Sequence, residues 1–295
     1  MKVLNFGSLN IDHVYDVVDF PKPGETIDSL KYDTFLGGKG LNQSIALQRC
    51  GTQVYHAGMV GEDGKILVET LANCGVDTSH IDICKCKTGH ALIQVNGQGE
   101  NCIILYHGAN KLIQKEDIDR VLKDFNKDDV IILQNEISNI DYLIEVAYKK
   151  DMVIVFNPAP YTKDINDFTL AFVTYMILNE TEAKGLTGCE DIDKAKEMLQ
   201  KAYPDTSFVI TLGSDGSYFF GKGKTIYQKA FTVPVTDTTG AGDTFIGYFI
   251  GNVIAHCSIA ESLERAAKAA AIAITKKGAS NAIPYLEEVL SSELH

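Results

Sequence analysis

Residues 235–244 of this chain are Val-Thr-Asp-Thr-Thr-Gly-Ala-Gly-Asp-Thr, and apolar residues at helical spacing follow them as far as Ile254. This pattern predicts a loop that ends where a helix begins, at residues 240–242. Small residues let the backbone approach a ligand, and the N–H groups and positive dipole end of a helix attract an anion. Asp243 falls in the first turn, where its carboxylate can accept a proton. An anion site beside a carboxylate base suits phosphoryl transfer to a hydroxyl, and the alternative is an ordinary turn with Asp243 as a helix cap.

The composition is that of an ordinary globular protein with a large core, since 45% of the 295 residues are hydrophobic. The net charge of −12 argues against non-specific binding to nucleic acid, although Mg²⁺ and local cations still permit a nucleotide ligand. The sequence opens with the apolar strand pattern Val3–Phe6 and shows no signal pattern and no apolar run of membrane-spanning length. We therefore expect a cytoplasmic protein that binds neither nucleic acid nor membrane.

Seven cysteines are scattered along the chain. Free thiols are expected, because their number is odd and a protein of this size needs no disulfides. Cys84 and Cys86, with His80 and His90 nearby, offer metal-ligating atoms. Their spacing is not that of a zinc knuckle and no second cysteine pair follows, so we interpret Cys84 and Cys86 as residues on one side of a strand.

Short apolar runs alternate with amphipathic helical patterns. The candidate strands are Val3–Phe6, Val130–Leu133, Val153–Phe156, Tyr175–Leu178 and Phe208–Thr211, and the clearest helices between them are Ile140–Lys150 and Ile192–Ala202. This alternation predicts an α/β fold with a three-layer core, in which a mostly parallel central sheet carries helices on both faces. In such sheets, ligands bind beyond the carboxyl ends of the strands.

Two insertions interrupt this alternation. Val14–Asp19 has a strand-like pattern, and His90–Val95 pairs with Cys102–Tyr106 across the turn signal of residues 96–101. With Ser29–Phe35 they predict a small β-sheet lid over the strand ends, which needs a partner surface, either the substrate or another subunit. A surface hairpin is the alternative. The predicted α/β core consists of residues 1–9, 36–88 and 109–295, and the predicted lid of residues 10–35 and 89–108.

Polar side chains fall where predicted strands end. Asn10 and Asp12 follow the first strand at alternating positions, so both can point at one ligand and bind adjacent hydroxyls; an Asx turn is the alternative. Residues 37–43, Gly-Gly-Lys-Gly-Leu-Asn-Gln, open a second helix. Their glycines, with Lys39 and Asn42, suit either a ligand site or an ordinary glycine-rich turn.

Two later strand ends carry candidate nucleotide contacts. Asn179 and Glu182 share one face of a starting helix, where they can orient water around Mg²⁺ or form a capping box. Thr211 and Gly213 end another strand in a donor-rich turn. Residues 223–225, Gly-Lys-Thr, lack the earlier glycine of a Walker loop and lie between two strand patterns, so we interpret them as a hairpin turn.

Two segments together resemble the signatures of the ribokinase-like sugar kinases, the phosphofructokinase-B type family: residues 37–40, Gly-Gly-Lys-Gly, and residues 237–244. The resemblance extends from Gly7 to about Pro284. Within the family the ribokinase group is most similar, through residues 7–13, 20–26, 97–101, 157–160, 179–183 and 275–279. The resemblance implies an ATP-dependent phosphotransferase that phosphorylates the primary hydroxyl of D-ribose to give ribose 5-phosphate.

The resemblance also implies roles for individual residues. Asp243 is the base that takes the proton from the sugar hydroxyl, and the backbone of Gly240, Ala241 and Gly242 stabilises the transferring phosphoryl group. The residues implied to hold the sugar are Asn10, Asp12, Gly38, Lys39, Asn42 and Glu136, with Asp243. Those implied to bind ATP and Mg²⁺ are Asn179, Glu182, Thr211, Gly213 and Gly242.

The family's monovalent cation site, usually filled by K⁺, is implied at Asp237 and Thr239, with carbonyl groups near Ala273, Lys276 and Gly278. The lid strands imply a homodimer. Leu41 and Asn135 depart from the family pattern near the implied sugar site. Two alternatives to a ribose kinase stay open: a nucleoside kinase or other furanose- or fructose-type kinase of the same family, and a catalytically silent sugar sensor on the same fold.

Overall fold

The computed structural model of the protein describes residues 1–294. Within them, thirteen strands form two sheets and nine α-helices pack around the larger sheet. The strands are β1 (Val3–Phe6), β2 (Asn10–Asp16), β3 (Lys31–Gly37), β4 (Val54–Gly61), β5 (Asp77–Cys84), β6 (Gly89–Val95), β7 (Asn101–Tyr106), β8 (Val130–Gln134), β9 (Val153–Asn157), β10 (Tyr175–Asn179), β11 (Ser207–Thr211), β12 (Ser217–Gly221) and β13 (Lys224–Gln228). The helices are α1 (Lys39–Arg49), α2 (Lys65–Asn73), α3 (Lys115–Leu122), α4 (Ile140–Lys149), α5 (Glu180–Thr187), α6 (Ile192–Ala202), α7 (Ala241–Ile254), α8 (Ile259–Ile274) and α9 (Leu286–Ser291).

The central sheet has the strand order β13-β12-β11-β10-β9-β8-β1-β4-β5 in the described part of the chain. The strands from β11 to β5 run parallel, and β12 and β13 add an antiparallel edge. Every residue of β1 and β8 is buried, because these strands lie mid-sheet with helices on both faces. The predicted α/β fold with a mostly parallel sheet is confirmed, and residues 223–225 lie at the predicted hairpin.

Helices cover both faces of this sheet. Helices α3 to α6 pack on one face around residues such as Ile144 and Leu199, and α1, α2, α7 and α8 pack on the other around residues such as Phe249. Helices α1 and α7 touch each other, since a side chain at Gly247 would collide with Ala46. This contact brings the first turns of α1 and α7 together at the carboxyl ends of the parallel strands, where the sequence predicts ligand binding.

Two core strands, β4 and β5, were not among the predicted ones. The apolar run of β4 is interrupted by His56 and Gly58, and β5 is a half-exposed edge strand that begins Asp-Thr-Ser-His, so neither has the apolar signal of a central strand. The interpretation of Cys84 and Cys86 as neighbours on one strand is wrong, because β5 ends at Cys84 and Cys86 lies beyond it.

The smaller sheet has the order β3-β2-β6-β7. Strand β2 pairs antiparallel with β3 and parallel with β6, and β6 and β7 form the expected hairpin. The first strand of this sheet lies earlier than the predicted range Val14–Asp19, because β2 begins at Asn10 and ends at Asp16. All six residues of β7 are exposed, so one edge of the sheet has no cover within the described chain.

Among the described residues, no helix combines the length and the apolar character that crossing a bilayer requires.

Candidate active site

Asp243 lies in the first turn of α7 and is 8% exposed. Its Oδ2 accepts a hydrogen bond from Asn42 Nδ2 and its Oδ1 accepts one from Gln43 Nε2, both at 3.0 Å. Burial raises the pKa of Asp243, and the Lys39 ammonium and the two amide N–H groups oppose that rise. The site therefore contains a buried carboxylate whose two oxygens are both held by side chains of α1.

The start of α7 has the features that the sequence predicts. Gly240 is the N-cap with φ +73°, and Ala241 N donates to Thr238 O at 3.2 Å. The N–H groups of Gly242 and Asp243 lie in the first turn, where a helix supplies no carbonyl partner. The predicted loop and helix start are confirmed, and N–H groups in this position of a helix attract anions.

A first cleft, which we call the Lys39 cleft, opens at these N–H groups. It has a volume of about 240 Å³. The sequence-predicted residues that line it are Lys39, Asn179, Glu182, Thr211, Gly240, Gly242 and Asp243. Asn157, a polar residue at the end of a predicted strand, also lines it, and the lining residues that sequence reasoning missed are Ala159, Ile177, Leu178 and Ile246. Ile177 and Leu178 lie in β10, so two of the four missed residues are apolar residues of a strand whose polar end, Asn179, was predicted.

Asn179 and Glu182 form the predicted capping box at the start of α5. Asn179 Oδ1 accepts from Glu182 N at 3.0 Å, and Glu182 Oε2 accepts from Asn179 N at 2.6 Å. Burial raises the pKa of Glu182, against the hydrogen bonds from Asn179 and the charge of Lys39. The capping box thus holds a carboxylate and an amide at the Lys39 cleft, a donor set that suits the water shell of Mg²⁺.

Lys39 stands among three carboxylates. Burial alone would lower its pKa, but Asp243, Glu136 and Glu182 together outweigh burial and raise the pKa of Lys39 above its ordinary value. The ammonium is therefore charged at neutral pH. Lys39 was predicted on the sugar side, and the structure places it in the cleft that also contains Asn179 and Glu182.

A second cleft, which we call the Asp12 cleft, lies between the smaller sheet and the loops 235–239 and 277–279. It has a volume of about 560 Å³ and is lined by residues that include Asp12, Phe35 and Ile103. Residues 235–239 line the Asp12 cleft, and Gly240, Gly242 and Asp243 line the Lys39 cleft. The loop of residues 235–242, which we call the signature loop, therefore runs from one cleft into the other.

Asp12 and Glu136 are two of the residues that the sequence predicts to hold the sugar, and their charges interact. Burial, with a contribution from Glu136, raises the pKa of Asp12 to about 6. The Glu136 carboxylate accepts hydrogen bonds from Ser8 Oγ and from Lys39 N, the latter at 3.0 Å. Sequence reasoning missed Ser8. It lies just after β1, in the same segment as Asn10, and this position at a strand end could have indicated it.

Asn10 is buried and held in place by Asn110. Asn110 Nδ2 donates to Asn10 Oδ1 at 2.8 Å, and Asn110 Oδ1 accepts from Leu9 N at 3.1 Å. Asn110 lies about 100 residues from its partners in a segment without a motif, so no local pattern indicated it.

Asn42 donates a hydrogen bond from its Nδ2 to Asp243, while its buried Oδ1 has no partner within residues 1–294.

The structure brings three of the five predicted cation ligands together, because Asp237, Thr239 and Gly278 all line the Asp12 cleft. Asp237 Oδ1 accepts from Thr239 N and Asp237 Oδ2 from Gly278 N, each at 2.9 Å. Burial would raise the pKa of Asp237, but these hydrogen bonds hold it below its ordinary value. The Ala273 carbonyl accepts from Lys276 N at 3.0 Å, and the Lys276 ammonium pairs with Glu288 at 2.9 Å.

Eight of the predicted site residues line neither cleft: Asn10, Gly38, Asn42, Glu136, Gly213, Ala241, Ala273 and Lys276. Gly213 is exposed in a short turn after β11 and does not line the Lys39 cleft. Leu41 is fully buried in the core on the α1 and α7 face. Asn135 Nδ2 donates to Pro160 O at 2.9 Å and to Thr162 Oγ1 at 2.8 Å. The two departures from the family pattern, Leu41 and Asn135, therefore serve packing and a neighbouring loop.

Comparisons with known proteins agree with this architecture. The model of the pfkB family carbohydrate kinases matches residues 1–286. The chain is 37% identical over 294 residues to the ribokinase of Haemophilus influenzae, with 96% of this chain and 95% of the relative covered. It is 29% identical over 299 residues to the deoxyribokinase of Salmonella typhi, with 98% and 97% covered. The solved structure of Arabidopsis thaliana ribokinase complexed with ribose and ATP matches with a TM-score of 0.86 at 30% identity, covering 98% of this chain and 97% of that one.

Proposed function

The chain belongs to the pfkB family of carbohydrate kinases, and we propose that it transfers the γ-phosphoryl group of ATP to the primary hydroxyl of D-ribose, giving ribose 5-phosphate and ADP. One observation carries the proposal: the buried Asp243 carboxylate and the free first turn of α7 lie where the signature loop joins the two clefts. A base and an anion site between two ligand clefts suit phosphoryl transfer from one ligand to the other. The similarity to a ribokinase solved with ribose and ATP supports this choice of substrates.

The sugar is proposed to bind between Asp12, which lines the Asp12 cleft, and Glu136, which lines neither cleft but whose charge raises the pKa of Asp12. Asp12 and Glu136 present carboxylate oxygens, which accept hydrogen bonds from sugar hydroxyls. Since Ser8 Oγ and Lys39 N already hold Glu136, its orientation is set before a sugar binds. The remaining sugar contacts are proposed to come from the four residues Asn10, Gly38, Lys39 and Asn42.

The proposed transfer begins at the primary hydroxyl, whose proton Asp243 accepts. The new bond joins the hydroxyl oxygen to the γ-phosphorus, the bond from that phosphorus to the β,γ-bridging oxygen breaks, and ADP leaves with the electron pair. General-base catalysis of this kind contributes about 10²–10⁴-fold. The backbone of residues 240–242 is proposed to stabilise the negative charge on the transferring group together with the Lys39 ammonium. Of its N–H groups, Ala241 N already donates to Thr238 O, so the first-turn donors proposed for this role are Gly242 N and the adjacent Asp243 N.

ATP is proposed to lie along the carboxyl ends of β10 and β11, at Asn179, Glu182, Thr211 and Gly213. Bound Mg²⁺ would reduce the charge of the phosphate oxygens. The Glu182 carboxylate and the Asn179 amide would hold the water molecules of that ion, because both lie at the Lys39 cleft and Glu182 is buried there.

Three further properties are proposed: a cation site, an assembly and a location. An activating K⁺ is proposed to bind at Asp237, Thr239, Ala273, Lys276 and Gly278. The lowered pKa of Asp237 and its hydrogen bond with Gly278 N support this site.

A homodimer is proposed to form through the smaller sheet, whose strand β7 is exposed along its whole length. A cytoplasmic location is proposed because ATP and a reducing environment for seven cysteines are both found there.

The experiment that tests the function is release of ADP from ATP and Mg²⁺ with a panel of acceptors. Ribose, 2-deoxyribose, fructose, adenosine and cytidine are each offered with K⁺ and with Na⁺ alone. Selective turnover of ribose, raised by K⁺, is the expected result. Selective turnover of a nucleoside or of another sugar would contradict ribose as the acceptor. Ribose binding by calorimetry without ADP release would contradict the kinase and favour a sugar sensor.

A further inference from the structure

Five buried polar side chains form a continuous hydrogen-bonded row that ends at Asp243. We call it the amide row, and its members are Asn5, Gln43, Ser44, His56 and Gln134. All five are 0% exposed, although burying a polar group is costly unless a partner satisfies it. The row crosses the sheet between β1, β4 and β8 and continues into α1.

Gln134 determines the direction of the hydrogen bonds in the row. Its Nε2 donates to Asn5 Oδ1 at 2.9 Å and to Gln43 Oε1 at 2.8 Å. Because Gln43 Oε1 accepts from Gln134, Gln43 Nε2 faces the other way. It donates to Asp243 Oδ1 at 3.0 Å and to Asn157 Oδ1 at 3.3 Å.

The other half of the row fixes Asn5, and through it Gln134. Asn5 Nδ2 donates to Gly40 O and to Ser44 Oγ, both at 2.8 Å. The Ser44 hydroxyl proton is then free to meet His56 Nδ1, 2.8 Å away. Burial lowers the pKa of His56 to about 3, so its ring is neutral and its Nδ1 can accept. The bonds from Asn5 through Gln134 and Gln43 to Asp243 each have one direction, and the Ser44–His56 bond takes its direction from the tautomer of the ring.

We propose that Gln43, oriented by Gln134, is a positioning residue for Asp243: it presents an N–H group to the carboxylate, holds its orientation and keeps it ionised. The inference rests on the proposed role of Asp243 as the base. The charged groups that face Asp243 are Lys39, Glu136 and Glu182. Two of these three are acidic and favour a protonated Asp243, and the Lys39 ammonium and the N–H groups of Gln43 and Asn42 oppose them.

Gln134 offers the sharper test, because no hydrogen bond joins it to Asp243 within residues 1–294 and it reaches that residue through Gln43. Gln134→Met removes the donor at similar size. Gln134→Glu replaces the donor with an acceptor. Gln43 is then expected to turn its amide so that Nε2 faces residue 134 and Oε1 faces Asp243. Asn252→Ala is the matched control, since Asn252 is a buried amide of α7 that bonds Tyr248 O and Arg265 and lies outside the row.

Both Gln134 variants are expected to lower the kcat for ribose by roughly 10- to 100-fold, with Gln134→Glu the more affected. The acid limb of their kcat–pH profile is expected to move to higher pH, while the KM for ribose stays close to that of the wild type. Asn252→Ala is expected to lose stability and keep the wild-type profile. A folded Gln134→Met variant with the wild-type kcat and pH profile would overturn the inference.

A second measurement does not depend on activity. Urea unfolding of Gln134→Met, Asp243→Asn and the double variant gives the coupling free energy between two residues that share no hydrogen bond. We expect it to exceed the coupling between Asn252→Ala and Asp243→Asn, and additive effects would contradict the inference. If the wild type does not phosphorylate ribose, the proposed function is contradicted. The coupling free energy from this double-mutant cycle then decides by itself whether the amide row acts on Asp243.

Discussion

The backbone of Gly37 lies against the carboxylate of Asp12, so that a Cβ atom at Gly37 would collide with Asp12 Oδ2. The two residues lie on paired strands, since β2 and β3 run antiparallel with Asn10 opposite Gly37. The position of the proposed sugar-binding carboxylate therefore depends on the absence of a side chain two residues before Lys39.

Gly37→Ala should displace the Asp12 carboxylate and weaken ribose binding. We expect kcat/KM for ribose to fall by about 10- to 100-fold, mostly through a higher KM, because a small misplacement of a positioning group lowers the rate strongly. Steady-state kinetics measures the change. Gly97→Ala is the control, since a Cβ there meets no atom within 4 Å; equal effects of the two variants would contradict the prediction.

Asp12 should make both stability and sugar binding depend on pH near 6. Its pKa rises from 3.8 to about 6 on folding because of burial, so its stabilising contribution is complete below about pH 4 and is lost as the pH rises through 6. Asp12→Asn should therefore be roughly 1–3 kcal/mol more stable than the wild type at pH 7 and similar at pH 4. Urea unfolding at both values checks this. The KM of the wild type for ribose should fall as Asp12 ionises, and a KM that is constant between about pH 5 and 7.5 would speak against the proposed contact.

Asp243→Asn should fold and lose most turnover. Asn42 can adapt to the new amide, because its Oδ1 has no partner within residues 1–294 and a reversed Asn42 can accept a hydrogen bond from the amide that replaces the carboxylate. We expect kcat to fall by about 10²–10⁴-fold, with ATP binding retained in calorimetry. Wild-type turnover in the folded variant would exclude Asp243 as the base.

Asp237→Asn should remove most of the activation by K⁺. The substitution takes away the negative charge that attracts the ion, and it places an amide N–H against Gly278 N, which donates to Asp237 Oδ2 in the wild type. We expect the ratio of the rates in K⁺ and in Na⁺ to approach one. Asp215→Asn, a change at an exposed carboxylate in the turn after β11, should keep the wild-type ratio.

Ile104→Glu should weaken the proposed homodimer. Ile103 lines the Asp12 cleft, and successive strand residues face opposite sides of a sheet, so Ile104, 65% exposed, faces outward. Light scattering after gel filtration should show a dimer for the wild type and a monomer for the variant. Ile66→Glu, which changes a residue of α2 that is 51% exposed, should leave the assembly intact. A monomeric wild type at micromolar concentration would refute the dimer.

Much of the fold followed from local pattern. The strands Val3–Phe6 and Phe208–Thr211 and the helix Ile192–Ala202 have periodic or continuous apolar residues, and the structure places them there with differences of at most one residue. The edge strand β5 was missed because its exposed face gives it a mixed sequence. Asn110 and Ser8 were missed because a residue that supports another one through a hydrogen bond leaves no periodic signal.

The sequence by itself determined most of the parallel strands of the central sheet, the helix start at residues 240–242 and the family, because each depends on residues close together in the chain. Only the tertiary structure decided that Gln43 Nε2 and Asn42 Nδ2 hold Asp243 across about 200 residues of chain, and that Lys39 stands among three carboxylates. Such contacts depend on how α1 packs against α7. That packing is set by the shapes of distant side chains such as Ala46 beside Gly247, which no local pattern encodes.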